Sequence, residues 1–285
     1  MPEIIKRNAE LKIRLDELRK NGKSIGFVPT LGALHMGHMS LINKALKWAD
    51  IVVCSIFVNP TQFNEESDFD RYPRPIKEDI ALLKKNNCHF LFLPFLEEIY
   101  PKNHKKFSMN IGNLGDTMEG ANRPGHFEGV IEVVHRLLSI VEPDFAFFGE
   151  KDFQQLSIIR LLVQKARFTT QIVPCEIIRE KDGLAMSSRN RLLTTSQRSH
   201  SPILYKTLKK MALNKQELSP FALKEHFLNY LKTNKVDVEY LEIAREDNLE
   251  AIRKWYKTIP CRIFIVARFG AIRLIDNISV AYRPK

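Results

Sequence analysis

Two histidines three residues apart, His35 and His38, stand in the segment FVPTLGALHMGH at 27–38. If a helix begins there, this spacing brings the two imidazoles together on one face. A helix N-terminus presents N–H groups without intrahelical partners, and these favour phosphate. An imidazole N–H can donate to a phosphoryl oxygen as charge builds on a leaving pyrophosphate. Gly32 and Gly37 let the backbone approach a ligand closely. The segment is neither a Walker A loop nor a dinucleotide-binding glycine fingerprint. No third ligand of matching context turns the pair into a zinc site. The plainer alternative is two histidines that cap a helix or lie in water.

Other segments carry complementary chemistry. In FVNPTQF (57–63), Asn59 and Gln62 can each donate and accept, which suits a carboxylate, hydroxyl or amide; Asn-Pro is equally a plain turn signal. In FFGEKDFQQ (147–155), Lys151 offers a point charge to phosphate, and Asp152 either caps a helix or holds a ribose hydroxyl or metal-bound water. In KDGLAMSSRNR (181–191), two hydroxyls precede Arg189, whose fixed fork of donors fits a phosphoryl group. Glu119, Arg123 and His126 lie in GDTMEGANRPGHFEG (115–129), a long irregular stretch of the kind that is often functional. Surface loops rich in Ser and Arg are common, so no one of these segments decides the matter alone.

The elements that must position these residues follow from periodicity. Leu11, Leu15 and Leu18 recur at helical spacing, predicting a helix over 9–21 that Asn21-Gly22 ends. A strand over 24–28, a helix over 37–48, a strand over 51–58, a helix over 76–86 and a strand over 89–93 come next. That β–α–β–α–β order predicts a parallel sheet with right-handed crossovers. The run IVVCSIFV at 51–58 is almost wholly apolar, as in a strand covered on both faces. After an irregular stretch, a helix over 127–141, a strand over 144–148, a helix over 153–167 and a strand over 170–174 complete a Rossmann-like α/β domain, 1–175, of five strands. Helices over 196–214 and 220–233 and strands over 236–243, 262–268 and 272–274 predict a smaller α+β domain, 176–285, with an antiparallel or mixed sheet. Ligands of open α/β sheets bind beyond the carboxyl ends of the strands. The segments 29–38, 59–64 and 149–155 all leave predicted strands there, and their convergence is a stronger signal than any one of them.

Composition narrows the function classes. The 285 residues carry a formal net charge of +11, which suits a polyanionic small substrate such as a nucleotide. The basic residues are dispersed, so nucleic acid is not the expected partner. No stretch approaches the ~18 apolar residues that span a bilayer, and the N-terminus lacks a signal peptide's apolar core; the cytoplasm is the expected location and no membrane partner is expected. The four cysteines are far apart with no CxxC pair, so buried thiols are expected rather than a metal cluster or disulfide framework. An RNA-binding protein would gather its Lys and Arg on one face among exposed aromatics, whereas the distinctive residues here concentrate at strand ends.

Taken jointly, PTLGALHMGH (29–38), SIFVNPTQF (55–63), RYPR (71–74), EGANRPGHFEGV (119–130), FFGEKDFQQL (147–156), KDGLAMSSRN (181–190) and RLIDN (273–277) closely resemble the pantothenate synthetase (pantoate–beta-alanine ligase) family. The HxGH element alone would indicate only the wider nucleotidyltransferase superfamily, where a cytidylyltransferase-like protein is the competing assignment. The resemblance implies a homodimeric enzyme that joins (R)-pantoate to beta-alanine with ATP and Mg²⁺, through pantoyl adenylate, releasing AMP and diphosphate. By carry-over, His38 is the proton donor, and His35, Lys151 and Arg189 act with it on the phosphates. ATP would be held by Leu31, Gly32, Ala33, Leu34, His35, Met36, Gly37 and His38. It would also be held by Gly149, Glu150, Lys151, Asp152, Ile178, Met186, Ser187, Ser188 and Arg189. Gln62 and Gln155 would hold pantoate, with Asn59 and Arg123 also in the substrate site. No protein ligand set for the metal is implied. Met36 and Leu31 depart from the family's common acidic residue and Met, and neither change removes a catalytic element.

Overall fold

A computed structural model describes residues 1–215, 217–256 and 258–280. The chain divides into two compact units. The first comprises Met1–Ile111, Arg123–Glu150 and Gln155–Ile177. The second comprises Gly112–Asn122, Lys151–Gln154 and the chain from Ile178 onward.

The first unit holds a six-stranded parallel sheet of β1 (Glu3–Ile5), β2 (Ile25–Thr30), β3 (Ile51–Ile56), β4 (Phe90–Phe92), β5 (Phe145–Gly149) and β6 (Gln171–Cys175), in the order β1-β4-β3-β2-β5-β6. The alternation of strands with the helices Met36–Trp48, Ile76–Lys85, His126–Val141 and Phe153–Lys165 matches the expected crossover pattern. Strand β1 is a correction: the periodicity led from the N-terminus straight into a helix, but three residues, Glu3–Ile5, pair with β4 before Asn8–Lys20 begins. A segment that short has too few alternations to register as a strand. The chain runs outward from β2 to β3 and β4, then returns to lay β5 against the other side of β2. Ligands of open α/β sheets bind at such a reversal, beyond the carboxyl ends of the strands; here it falls between β2 and β5.

Val52, Val53, Cys54 and Ile56 of β3 are buried, as its almost wholly apolar run requires. All four cysteines are buried free thiols. Burial pushes the Cys88 thiol up to about 12, so it stays protonated and unreactive at neutral pH.

The second unit has an antiparallel sheet of β7 (Asp237–Arg245), β8 (Cys261–Phe269) and β9 (Ile272–Val280), with β8 central. Helices Ile203–Asn214 and Pro220–Thr233 bury Leu204, Leu208, Leu223 and Phe227 in a core with Ile263 and Ile265. The expected single helix over 196–214 is two, Thr195–His200 and Ile203–Asn214. Pro202 interrupts the run because it has no N–H to continue the ladder. Strand β9 runs well past the expected 272–274, since its whole length pairs with β8.

Candidate active site

The loop after β2 is shaped by its backbone. Gly32 has φ +81° and Ala33 φ 49°. A Cβ on Gly32 would come within 2.9 Å of the Ile56 side chain, so only glycine fits both the conformation and the space. The Asp79 carboxylate, 1% exposed, accepts from the Ala33 N–H at 2.9 Å and the Leu34 N–H at 2.7 Å. Thr30 Oγ accepts from the Gly32 N–H and donates to the Ser55 carbonyl. This pins the turn that feeds the next helix.

His35 is the N-cap of Met36–Trp48. Its Nδ1 accepts from the Gly37 N–H at 3.1 Å, and Nδ1 of His38 accepts from the His35 N–H at 3.2 Å. The ring centroids lie 4.1 Å apart. Both nitrogens that accept must be unprotonated, so in the neutral rings Nε2 carries the proton. Capping and chemistry are therefore compatible: each cap bond fixes the tautomer whose other nitrogen is a donor.

The loop after β3 leaves beside the loop after β2, joined by the Phe57 N–H to the Thr30 carbonyl. Asn59 has no exposed surface. Its Oδ1 accepts from the Thr61 N–H, the Thr61 hydroxyl and the Tyr100 hydroxyl, the last at 2.8 Å. Its Nδ2 donates to Gln62 Oε1 at 3.1 Å and to the Gly129 carbonyl. Asn59 thus lies beneath the surface and orients Gln62. Arg123 and His126 both donate to the Gln62 carbonyl, at 3.3 and 2.7 Å, and Arg123 also donates to Nε2 of His126. A Cβ on Gly129 would lie 2.3 Å from the Thr61 carbonyl oxygen, so glycine lets helix His126–Val141 approach this turn. Gln155 is half-buried on helix Phe153–Lys165. Gly149 ends β5, and Glu150 opens the 3₁₀ turn that follows.

The remaining expected site residues belong to the second unit. Lys151 and Asp152 lie in a 3₁₀ turn, Glu150–Asp152. The Lys151 carbonyl accepts from Nδ2 of Asn277 on β9 at 2.9 Å, and Asn277 Oδ1 accepts from Arg262 at 2.6 Å. Arg262 stacks on Phe153 and pairs with Glu246. Beside Asn277, Asp276 takes two bonds from Arg179, at 2.6 and 3.0 Å. Ile178 and Met186 face one another across a hairpin, the Met186 N–H donating to the Ile178 carbonyl. Gly183 turns that hairpin with φ +95°. Ser187 then caps the 3₁₀ helix Ser188–Leu192 by accepting from the Arg189 N–H; Ser188 is buried and Arg189 half-buried.

Glu119, also in this unit, accepts from both Arg273 guanidinium nitrogens, at 2.6 and 2.8 Å, and from the Tyr240 hydroxyl at 2.7 Å. Burial and the neighbouring Glu119 charge push the Tyr240 phenol far up, so it is a donor at all working pH. Arg273 also grips Glu239. Gln154 holds the loop bearing Glu119: it accepts from the Glu119 N–H and donates to the Leu114 and Thr117 carbonyls.

The pantoate-beta-alanine ligase family profile matches residues 3–279. A pantothenate synthetase from Porphyromonas gingivalis is 43% identical over 97% of this chain and 99% of its own length. One from Acinetobacter baumannii is 42% identical over 96% and 97%. The chain belongs to the pantoate–beta-alanine ligase family. The crystal structure of the pantothenate synthetase from Thermus thermophilus superposes with a TM-score of 0.91 at 38% identity, covering 98% of this chain and all of that one. The Francisella tularensis pantoate-beta-alanine ligase, crystallised with beta-gamma ATP and beta-alanine, gives 0.82 at 34% identity over 98% and 97%. The resemblance read from the motifs is borne out, and with it the Rossmann-like sheet and the class of ligase.

Several residues that build this ligase's loops were not singled out by sequence. Asp79 had a signal: it falls between Ile76 and Leu83 on the apolar face of its helix, where an unpaired carboxylate would be costly. Arg273, Asp276 and Asn277 lay in the quoted RLIDN motif without roles. Arg179 and Tyr240 had no local signal.

Proposed function

We propose that this chain condenses (R)-pantoate with beta-alanine, converting ATP to AMP and diphosphate through pantoyl adenylate. A pantoate carboxylate oxygen attacks the α-phosphorus and diphosphate leaves. The beta-alanine nitrogen then attacks the acyl carbon, AMP departs with the transferred oxygen, and the nitrogen loses a proton. His35 and His38 donate from Nε2 to phosphate oxygens and stabilise the charge that builds as diphosphate leaves. Lys151 and Arg189 add positive charge to the same phosphates, and Gln62 and Gln155 hold pantoate. The observation that carries this reading is the cap at the start of Met36–Trp48, which leaves both imidazoles with a proton at Nε2.

Mg²⁺ bound by ATP prefers phosphate oxygens and water, with one or two carboxylates. Asp152 would reach its water shell. The ion would neutralise phosphate charge and polarise the α-phosphate. A homodimer in the cytoplasm, acting on small molecules and not on nucleic acid or membrane, completes the proposal; none of the described helices is long and apolar enough to cross a membrane.

AMP release that requires both pantoate and beta-alanine tests the reaction. His38→Ala should lower kcat by about 100-fold or more, the range for losing one donor to a developing oxyanion, with an unchanged circular-dichroism spectrum. Full activity in that variant contradicts the role of His38.

A further inference from the structure

Gln62 can present either end of its amide to a ligand, and only one end suits a carboxylate. Which end faces outward is set by Asn59. Three donors converge on Asn59 Oδ1, from the Thr61 N–H, the Thr61 hydroxyl and the Tyr100 hydroxyl. With its oxygen so occupied, Asn59 must turn Nδ2 toward Gln62 Oε1. The Gln62 oxygen is then satisfied from below, and its NH₂ group is the end left for substrate. The two side-chain donors to the Gln62 main-chain carbonyl, from Arg123 and His126, hold its backbone but do not choose between the two ends of its amide.

Tyr100 is itself held. Its ring lies 6.2 Å from that of Phe57 and 5.3 Å from that of His104. His104 points Nδ1 at the Pro101 carbonyl, 2.9 Å away, and Nε2 at the buried Glu132 carboxylate, 2.8 Å away. The two contacts together fix the orientation of the ring. Glu132 and His104 therefore fix the wall against which the phenol ring stands. Burial pushes the Tyr100 phenol up to about 12, and the hydroxyl stays a donor.

We infer that Tyr100 is a positioning residue for pantoate, acting through Asn59 to turn the Gln62 amide donor toward the substrate carboxyl or hydroxyl group. The inference rests on Gln62 being a pantoate ligand, as proposed above. Without the Tyr100 hydroxyl, Asn59 keeps only the two donors of Thr61, and the flipped Gln62 amide becomes accessible. Losing a neutral hydrogen bond of this kind changes an equilibrium constant by about twofold to twelvefold.

Steady-state kinetics of the full-length enzyme test this with pantoate, ATP and beta-alanine each varied in turn. Tyr100→Phe should raise the pantoate KM about fivefold while the ATP KM stays unchanged and the melting temperature falls by no more than about 2–4 °C. In a Gln62→Ala background the same change should have no further effect on pantoate KM. A pantoate KM within twofold of the parent, an equal rise in ATP KM, or additive effects in the double variant would each overturn the inference. Glu132→Gln, which loosens His104 while preserving shape, should move the pantoate KM the same way by a smaller factor. It carries the test if Tyr100→Phe does not fold, and no movement there overturns the inference. If Gln62→Ala alone leaves pantoate KM unaltered, the pantoate role of Gln62 is what fails.

Discussion

The side-chain amide of Gln62 in the first unit rests on neutral groups: the Asn59 amide and the Tyr100 hydroxyl behind it. Lys151 in the second unit hangs from Asn277, whose neighbours include the Arg262–Glu246 and Arg179–Asp276 ion pairs. The first arrangement chooses an orientation, because an amide has a donor end and an acceptor end. The second holds a segment of backbone in place, and it does so with charges that have left water. Amide contacts add modestly to stability and strongly to specificity of donor and acceptor. Paired buried charges add little net stability, but removing one partner is severe because the other is left stranded. The two loops should therefore fail differently when cut.

The largest effect is expected on the charged side. Asp276→Ala strands Arg179, which is mostly buried, and should lower unfolding free energy by about 3 kcal/mol or more, read by denaturant unfolding with a second-unit fluorescence probe at Trp255. A loss below about 1 kcal/mol would place the pair among exposed ones and remove the contrast. Next, on the neutral side, Gly129→Ala drives a Cβ against the Thr61 carbonyl oxygen. The overpacking should cost about 1–3 kcal/mol and raise pantoate KM more than ATP KM, since it displaces the turn carrying Gln62. Equal changes in both KM values would show that the turn is not specific to one substrate.

The smallest effect sharpens the meaning of burial. Asp182 caps the turn of the hairpin 178–186 and pairs with Arg198, whose hydrogen bond holds the Asp182 carboxyl below its ordinary value of 3.8. Both side chains are substantially exposed, so Asp182→Asn should cost only a fraction of a kcal/mol at neutral pH. A carboxyl with a depressed folded pKa stabilises above its unfolded value and loses that contribution as pH falls through the folded one. The stability gap between Asp182→Asn and the parent should therefore close as the buffer is acidified below pH 3.8. A gap that persists in acid would mean the cap geometry, not the charge, carries the contribution.

Much of the fold was legible in the residues themselves. The almost wholly apolar run of β3 and the alternation of strands with amphipathic helices predict a parallel sheet, and helix Pro220–Thr233 falls within the expected bounds. The start of a helix beside His35 was also legible, from glycine and histidine spacing. Strand β1 was not, because three residues hold no period, and the break at Pro202 was passed over within a longer apolar pattern.

The sequence by itself determined which residue types were available: two imidazoles, several side-chain amides and a lysine near strand ends, and an arginine in the smaller domain. Only the tertiary structure decided that Asn59 works from beneath Gln62, that Glu119 is gripped by Arg273 from 154 positions away, and that Lys151–Gln154 groups with the second unit. Periodicity reports local backbone and the apolar face of an element. It carries no information on which of many chemically equivalent donors will meet a given acceptor, since that depends on where distant segments come to rest once the core has packed.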